Sequence, residues 1–143
     1  TKVDIDGSGN SYFNAGNVGI GISSPGTKLH INDGHLRSTQ STLPGLANLS
    51  GPGGTLDAGS TDIKGALSVG GSIANGGTAS YRITFATAYA SAPVVVVTAA
   101  GTSFANRLGV SVTVSTTDFV VDVLNNSNLG SVNNPKFNYI VIE

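Results

Sequence analysis

Apolar and polar residues alternate along most of this 143-residue chain, and a period of two is typical of β-strands that bury one face. Val110, Val112 and Val114 alternate with serine and threonine, and in Phe119–Leu124 the residues Phe119, Val121 and Val123 share one face while Val120, Asp122 and Leu124 share the other. No segment repeats apolar residues at helical spacing, because glycine or a β-branched residue interrupts nearly every window. The sequence therefore predicts an all-β fold.

The C-terminal part of the chain, residues 55–143, carries the stronger strand signals. Six strands are predicted there: Ala66–Val69, Tyr81–Ala86, Pro93–Thr98, Leu108–Val114, Phe119–Leu124 and Phe137–Ile142. Short strands at this spacing predict a small antiparallel six-stranded β-sandwich. The run Val94–Val97 is apolar on both of its faces. We expect one face to meet the core and the other to meet a second layer, supplied by a neighbouring subunit.

Residues 1–54 are rich in glycine and predict a short stalk, with a Gly/Pro-rich connector at 38–54. In Val18–Ile22 the apolar side chains share one face and glycines occupy the other, which lets another backbone approach closely. Lys28–Arg37 predicts a hairpin with Asp33-Gly34 as its turn and with apolar side chains on one face. A hairpin this small is not stable alone, so we expect copies of the chain to complete it.

Composition narrows the possible partners and chemistry. Charged residues make up only 10% of the chain, against about 25% in a typical domain, and the net charge is −1. The chain has no basic patch for nucleic acid, no apolar run that would insert into a membrane and no cysteine for disulfides. Since it opens at Thr1 and lacks methionine, we interpret it as the C-terminal fragment of a longer protein or as a processed protein.

Two stretches of sequence resemble known protein families. The segment Asn14–Ile31, which contains Gly-Asn-Val-Gly-Ile-Gly and Ser-Pro-Gly-Thr-Lys-Leu-His-Ile, resembles a stalk motif of bacteriophage tail fibres and tail spikes. A second set resembles a small domain at the ends of phage structural proteins: Ala58–Asp62, Gly65, Ile83–Val94, Ser115–Phe119 and Phe137–Ile140. This second set is also similar to the H-type lectin fold, a six-stranded sandwich that forms trimers and can bind sugars. The resemblance implies an intertwined homotrimer located in the virion tail, outside the cell.

Residues that could support catalysis or hold a metal are few. His30 and His35 lie on the polar face of the predicted hairpin, which predicts surface residues rather than metal ligands on a trimer axis. Asp118 and Asp122 fall on one side of a strand, and no predicted cleft surrounds them, which disfavours glycoside hydrolysis. The acidic segment 4–10 resembles a calcium loop but lacks the glutamate required at position 12. We expect no enzyme activity, no cofactor and no metal site.

Two loops offer the side-chain types that bind sugars. The candidate ligand-binding residues are Phe104, Asn106, Arg107, Asn125, Asn126, Asn134 and Lys136. Phe104 either caps the sandwich or is offered to a ligand, and Arg107 suits an anionic sugar or a lipopolysaccharide phosphate. Asparagine also favours turns for purely structural reasons, so the Asn-rich loop has two interpretations, a ligand-binding loop or a structural turn.

The sequence thus favours the C-terminal part of a phage tail fibre that binds a host-surface receptor, a glycan or lipopolysaccharide. The alternative is a structural fibre segment or virion decoration that binds only other virion tail proteins. A third reading, a bacterial trimeric adhesin, would require a C-terminal membrane anchor. Binding that Phe104→Ala or Arg107→Ala abolishes would favour the first reading.

Overall fold

The computed structural model describes residues 16–32, 39–100 and 107–143. The chain divides into two compact units, Thr1–Arg37 and Ser38–Glu143. Twelve strands and no helix occur in these described ranges, which confirms the predicted all-β class. Accordingly, no described segment forms a helix long and apolar enough to cross a membrane.

The first unit contains a two-stranded parallel sheet. Strand β1 (Val18–Ile20) pairs with β2 (Leu29–Ile31), placing Val18 opposite Leu29 and Ile20 opposite Ile31. Because directly paired residues point to the same side, these four aliphatic side chains form one face. Ile20 is 54% exposed and Leu29 is 55% exposed, so the described residues cover this face only in part.

The described residues do not test the predicted hairpin, but they show a pairing that the sequence did not predict. The turn Asp33-Gly34 and the returning segment 35–37 lie outside the described residues, whereas β2 pairs with β1. The connection at 21–28 begins at Gly21, whose φ of +75° belongs to the left-handed region that glycine adopts without strain. Asn17 Nδ2 donates a 2.9 Å hydrogen bond to the Pro25 carbonyl, which ties the connection back to the start of β1.

The second unit holds the remaining ten strands. They are β3 (Gly45–Ser50), β4 (Gly54–Leu56), β5 (Lys64–Val69), β6 (Ser72–Ile73), β7 (Thr78–Thr84), β8 (Val94–Ala100), β9 (Leu108–Val114), β10 (Asp118–Asn125), β11 (Val132–Asn133) and β12 (Lys136–Ile142). Sheet I has the order β3-β7-β10-β9, and sheet II has the order β4-β5-β12-β8. The short strands β6 and β11 pair with each other, and every pairing in this unit is antiparallel.

Alternate residues of both sheets enter one hydrophobic core. The fully buried side chains include Tyr81, Ile83, Val121, Leu67 and Phe137. The predicted alternation in β7, β9 and β10 is thereby confirmed. In β8 the two outward valines remain exposed, so none of the described residues provides the second layer expected over Val94–Val97.

The second unit begins earlier than the sequence predicted. Residues 45–50, assigned to the connector, form β3 and pair with β7 at the edge of sheet I. The predicted boundary between residues 54 and 55 falls inside β4, and the compact unit starts at Ser38. Glycine, leucine and asparagine in these short strands have little β propensity, so pairing with β5 and β7 decides their structure.

The two ends of the second unit carry different connections. One end, here named the loop end, holds residues 51–53, 70–77, 107 and 126–135. The opposite end, here named the entry end, holds residues 39–44, 57–63, 85–93 and 115–117. The chain thus enters this unit at the end opposite to most of the predicted ligand-binding residues.

Candidate functional site

Two motifs from the stretches that resemble the small phage domain, Ser60-Thr61-Asp62 and Thr84-Phe85-Ala86-Thr87, meet at the entry end. Asp62 is 7% exposed, and its carboxylate accepts hydrogen bonds from the backbone N–H groups of Ala86 (2.8 Å) and Thr87 (3.0 Å). Gln40 donates to the same carboxylate at 2.7 Å and accepts from the Asp62 N–H at 2.7 Å. All of these hydrogen bonds connect different segments of the chain. The Asp62 motif therefore has a structural role.

Tyr139 completes the entry end from β12. Its hydroxyl donates a 2.8 Å hydrogen bond to the Thr61 carbonyl. A side chain at Gly65 would overlap that hydroxyl, so glycine is required where the ring crosses β5. Burial raises the pKa of Tyr139 to about 12, and the charge of Asp62 acts in the same direction. The phenol therefore stays neutral and structural at ordinary pH.

At the loop end, two predicted ligand-binding residues converge on one carbonyl group. Arg107 donates to the Gly130 carbonyl at 2.9 Å and to the Ser127 hydroxyl at 3.2 Å. Asn125 donates to the same carbonyl at 3.0 Å. The structure thus brings Arg107 and Asn125 together, and together they hold the loop 126–131 against the unit.

Asn125 is fully buried, with a relative exposure of 0%. Its amide nitrogen also donates to the Ile73 carbonyl at 2.9 Å, and its oxygen accepts from the Ser127 hydroxyl at 2.8 Å. It continues the inward positions of β10, after Val121 and Val123. A side chain in this position has its hydrogen-bonding groups engaged and offers no surface to a ligand.

The other predicted residues lie apart from this clamp. Asn126 and Asn134 are exposed, and Asn134 has a positive φ of 45°, typical of asparagine in turns. Lys136 pairs with Asp57 on the outer face of sheet II, and its hydrogen bond lowers the pKa of that carboxyl group. Phe104 and Asn106 lie outside the described residues.

A groove of about 530 Å³ lies across the outer face of sheet I, at its loop end. Its lining comes from all four strands of the sheet, and the residues that give it its chemistry are Thr78, Ser80, Gly109, Ser111, Asp122 and Leu124. Ser80 and Ser111 are the direct cross-strand neighbours of Asp122, and Gly109 is the neighbour of Leu124. A Cβ atom at Gly109 would have its nearest contact, the Leu124 carbonyl oxygen, at 3.8 Å, so the missing side chain leaves the groove open.

No family model, curated protein or solved structure matches this chain. The candidate site is therefore inferred from the geometry of its residues alone. No group of three histidine, cysteine or acidic residues that could hold a metal ion occurs in the part of the chain that the structure describes.

The groove combines hydroxyl groups, one carboxylate and one aliphatic surface. Ser80 donates a 2.6 Å hydrogen bond to Asp122 Oδ1, which fixes that carboxylate in place. The side chain of Leu124 is 42% exposed beside it. Fixed acceptors, rotatable hydroxyls and an apolar surface can together bind a ligand that carries many hydroxyl groups on a compact carbon frame.

Sequence reasoning missed this groove because it treated Asp122 as part of a solvated strand face. The alternation in β9 and β10 does place Ser111 and Asp122 on the outer face. The register between the strands, which brings Gly109 beside Leu124, is set by tertiary pairing. Leu129, 78% exposed at the loop end, was likewise missed although asparagine, serine and glycine surround it.

Proposed function

We propose that this chain is part of a homotrimeric bacteriophage tail fibre whose second unit, a β-sandwich, binds a saccharide on the host cell surface. The observation that carries the proposal is the groove on the outer face of sheet I, at the loop end. The chain enters the unit at the other end, through Thr39 and Gln40. A binding site at the end far from the chain entry suits a fibre tip that meets another surface.

The chemistry of the groove favours a neutral sugar or an amine-bearing sugar. Asp122 provides negative charge, which attracts hydroxyl and ammonium donors and repels phosphate. Leu124 offers an aliphatic surface to the C–H face of a sugar ring. Because the groove is shallow and open, one site alone binds weakly. Three linked sites on one fibre raise the effective concentration of each without any new contact.

The first unit supports the trimeric part of the proposal. Two strands of three residues each, with Ile20 and Leu29 about half exposed, do not form a stable sheet in water. Identical chains wound together would cover these side chains and satisfy the open edges of both strands. This explains why the sequence places glycine opposite the apolar face of β1.

The groove is tested by filling it. Gly109→Val adds a β-branched side chain to β9, where the backbone tolerates one, so we expect the fold to persist and saccharide binding to be lost. Asp122→Asn should weaken binding about tenfold or more, as expected when a charged hydrogen-bond acceptor becomes neutral. The measurement is binding of the intact chain to a glycan array, followed by titration of the glycan found.

Thr113→Val is the matched control, because Thr113 lies on the same face of the same strand outside the groove. If Gly109→Val binds the glycan as well as the unmodified chain, the groove is not the site. If Phe104→Ala alone abolishes binding, the site lies in the loop 100–107. If the chain binds no glycan and no bacterial surface, the alternative of a structural fibre segment is favoured.

A further inference from the structure

The outer face of sheet II carries an aliphatic cluster at its entry end. Ile140 pairs with Val96, and Ile142 pairs with Val94. The exposed fractions are 63% for Val94, 45% for Val96, 46% for Ile140 and 54% for Ile142. These four side chains, here named the valine–isoleucine face, are direct neighbours on two adjacent strands. They form one continuous apolar surface.

The rest of the unit's outer surface shows how unusual this face is. On sheet I most outward positions are polar, among them Ser80, Arg82 and Asp122, as expected for a sheet that faces water, and the exposed Leu124 lies opposite threonine and glycine. On sheet II itself the loop-end half is polar, with Asn138 paired to Thr98. Other exposed leucines of this unit, such as Leu124 and Leu129, do not face an exposed aliphatic partner across the strands, so the paired aliphatic surface of the described strands lies in one half of one sheet. A confined patch of this kind marks an interface rather than a generally apolar exterior.

The strand that borders this face is also unprotected. Strand β8 is an edge strand of sheet II, and its seven residues, Val94–Ala100, include no charge and no proline. Its pairing with β12 runs without a register shift. Soluble monomers usually protect a long apolar edge strand with charges, prolines or bulges. The edge and the face beside it thus both require a cover.

We infer that the valine–isoleucine face is covered by another copy of this same chain. Copies do not repel one another, since the chain has a net charge of −1 and only 15 charged residues, seven basic and eight acidic. The first unit independently exposes Ile20 and Leu29, which identical chains would cover. Once those parts assemble, the second units of the same chains are tethered close together. The effective concentration of each face towards its copies is then high.

This inference rests on the trimer of the proposed function but not on its saccharide. In a cyclic trimer, residues near the axis lie close to their own counterparts in the other two chains. The valine–isoleucine face would then turn towards the axis, whereas the outer face of sheet I, with the groove, would remain outside. The face that assembles and the face that binds are thus separate surfaces of one unit.

The absence of cysteine from the sequence allows a direct test on the intact chain. Val96→Cys places a single thiol on the valine–isoleucine face, and Thr113→Cys places one on the outer face of sheet I as the matched control. A bulky maleimide should modify Val96→Cys about tenfold more slowly than Thr113→Cys, since modification must wait for the copies to separate. In denaturant the two rates should become equal. A short bismaleimide should join two Val96→Cys chains but not two Thr113→Cys chains.

Equal rates for the two variants in the native protein would overturn the inference, and so would slow modification of a chain whose sedimentation mass is that of a monomer. To guard against misfolding of the cysteine variant, Val96→Lys should keep the circular dichroism spectrum of the unmodified chain and lose the concentration-dependent protection measured by hydrogen exchange in β8. Glycan binding is measured separately. A failure of the saccharide proposal would leave these reactivities unchanged.

Discussion

At the scale of single residues, the entry end depends on the close approach of Tyr139 to Gly65. Tyr139 crosses β5 only because Gly65 has no Cβ atom there. The ring also packs edge-on against Phe119, with ring centroids 5.2 Å apart. The sequence predicted the strand Phe137–Ile142 that carries Tyr139. The partner of its hydroxyl, the Thr61 carbonyl, lies 78 residues away along the chain and is known only from the fold.

The buried hydroxyl of Tyr139 predicts a loss of stability in alkali. Its pKa is raised to about 12 in the folded chain, against about 10 when unfolded. The folded state therefore holds the proton more tightly, so this stabilisation is complete below pH 10 and is lost as the pH rises through 12. Urea unfolding at pH 7 and pH 11 should show this loss for the unmodified chain.

Tyr139→Phe provides the control for that experiment. At pH 7 the variant should be less stable by about 1 kcal/mol, because the hydrogen bond to the Thr61 carbonyl is removed. Between pH 10 and pH 12 it should lose less stability than the unmodified chain. The raised pKa values of Tyr81 and Tyr89 are present in both proteins and cancel in the comparison. An identical alkaline response of the two proteins would contradict the assignment to Tyr139.

At the scale of elements, the loop 126–131 shows how a buried amide positions a surface segment. Asn125, at the end of β10, bonds to the carbonyls of Ile73 and Gly130 and to Ser127. From the sequence, Asn125 was interpreted as a surface residue, because the residues that follow it have the composition of a loop. Strand alternation places it inside, and the alternation decides the outcome because β10 extends to this residue.

Removing the Asn125 amide should destabilise the unit and release this loop. Asn125→Ala leaves two carbonyl groups and the Ser127 N–H and hydroxyl without that partner, which should cost about 2 kcal/mol or more in the free energy of unfolding. The exposed neighbour Asn126→Ala should change it by less than about 0.5 kcal/mol. Urea denaturation measures both. Equal effects of the two substitutions would show that the clamp does not stabilise the unit.

At the scale of the whole molecule, the two units share one property. Within the described residues, each presents aliphatic side chains that remain about half exposed: on β1 and β2 in the first unit, and on β8 and β12 in the second. With few charges to keep copies apart, such a chain is expected to assemble. In such an assembly each copy would present its own groove and loop end, so one particle would carry several copies of the groove.

The assembly predicts a definite mass. The intact chain of 14.3 kDa should sediment as a particle three times as heavy and should remain so at micromolar concentration. Ile20→Lys places a charge on the partly covered face of the first unit and should lower the mass or make it depend on concentration. Ser23→Lys, at an exposed position of the same unit, should leave it unchanged. A folded monomer at micromolar concentration would contradict the proposed trimer and the inferred cover over the valine–isoleucine face.

The sequence by itself determined the β class and the inward residues of β7, β9 and β10, because alternation reports directly which side of a strand avoids water. Only the tertiary structure decided that residues 45–50 form an edge strand, that β1 and β2 run parallel, and that a groove opens beside Gly109. These features arise from which strands pair and in which register. Local composition carries little information about contacts between residues distant in the chain, so the fold had to supply them.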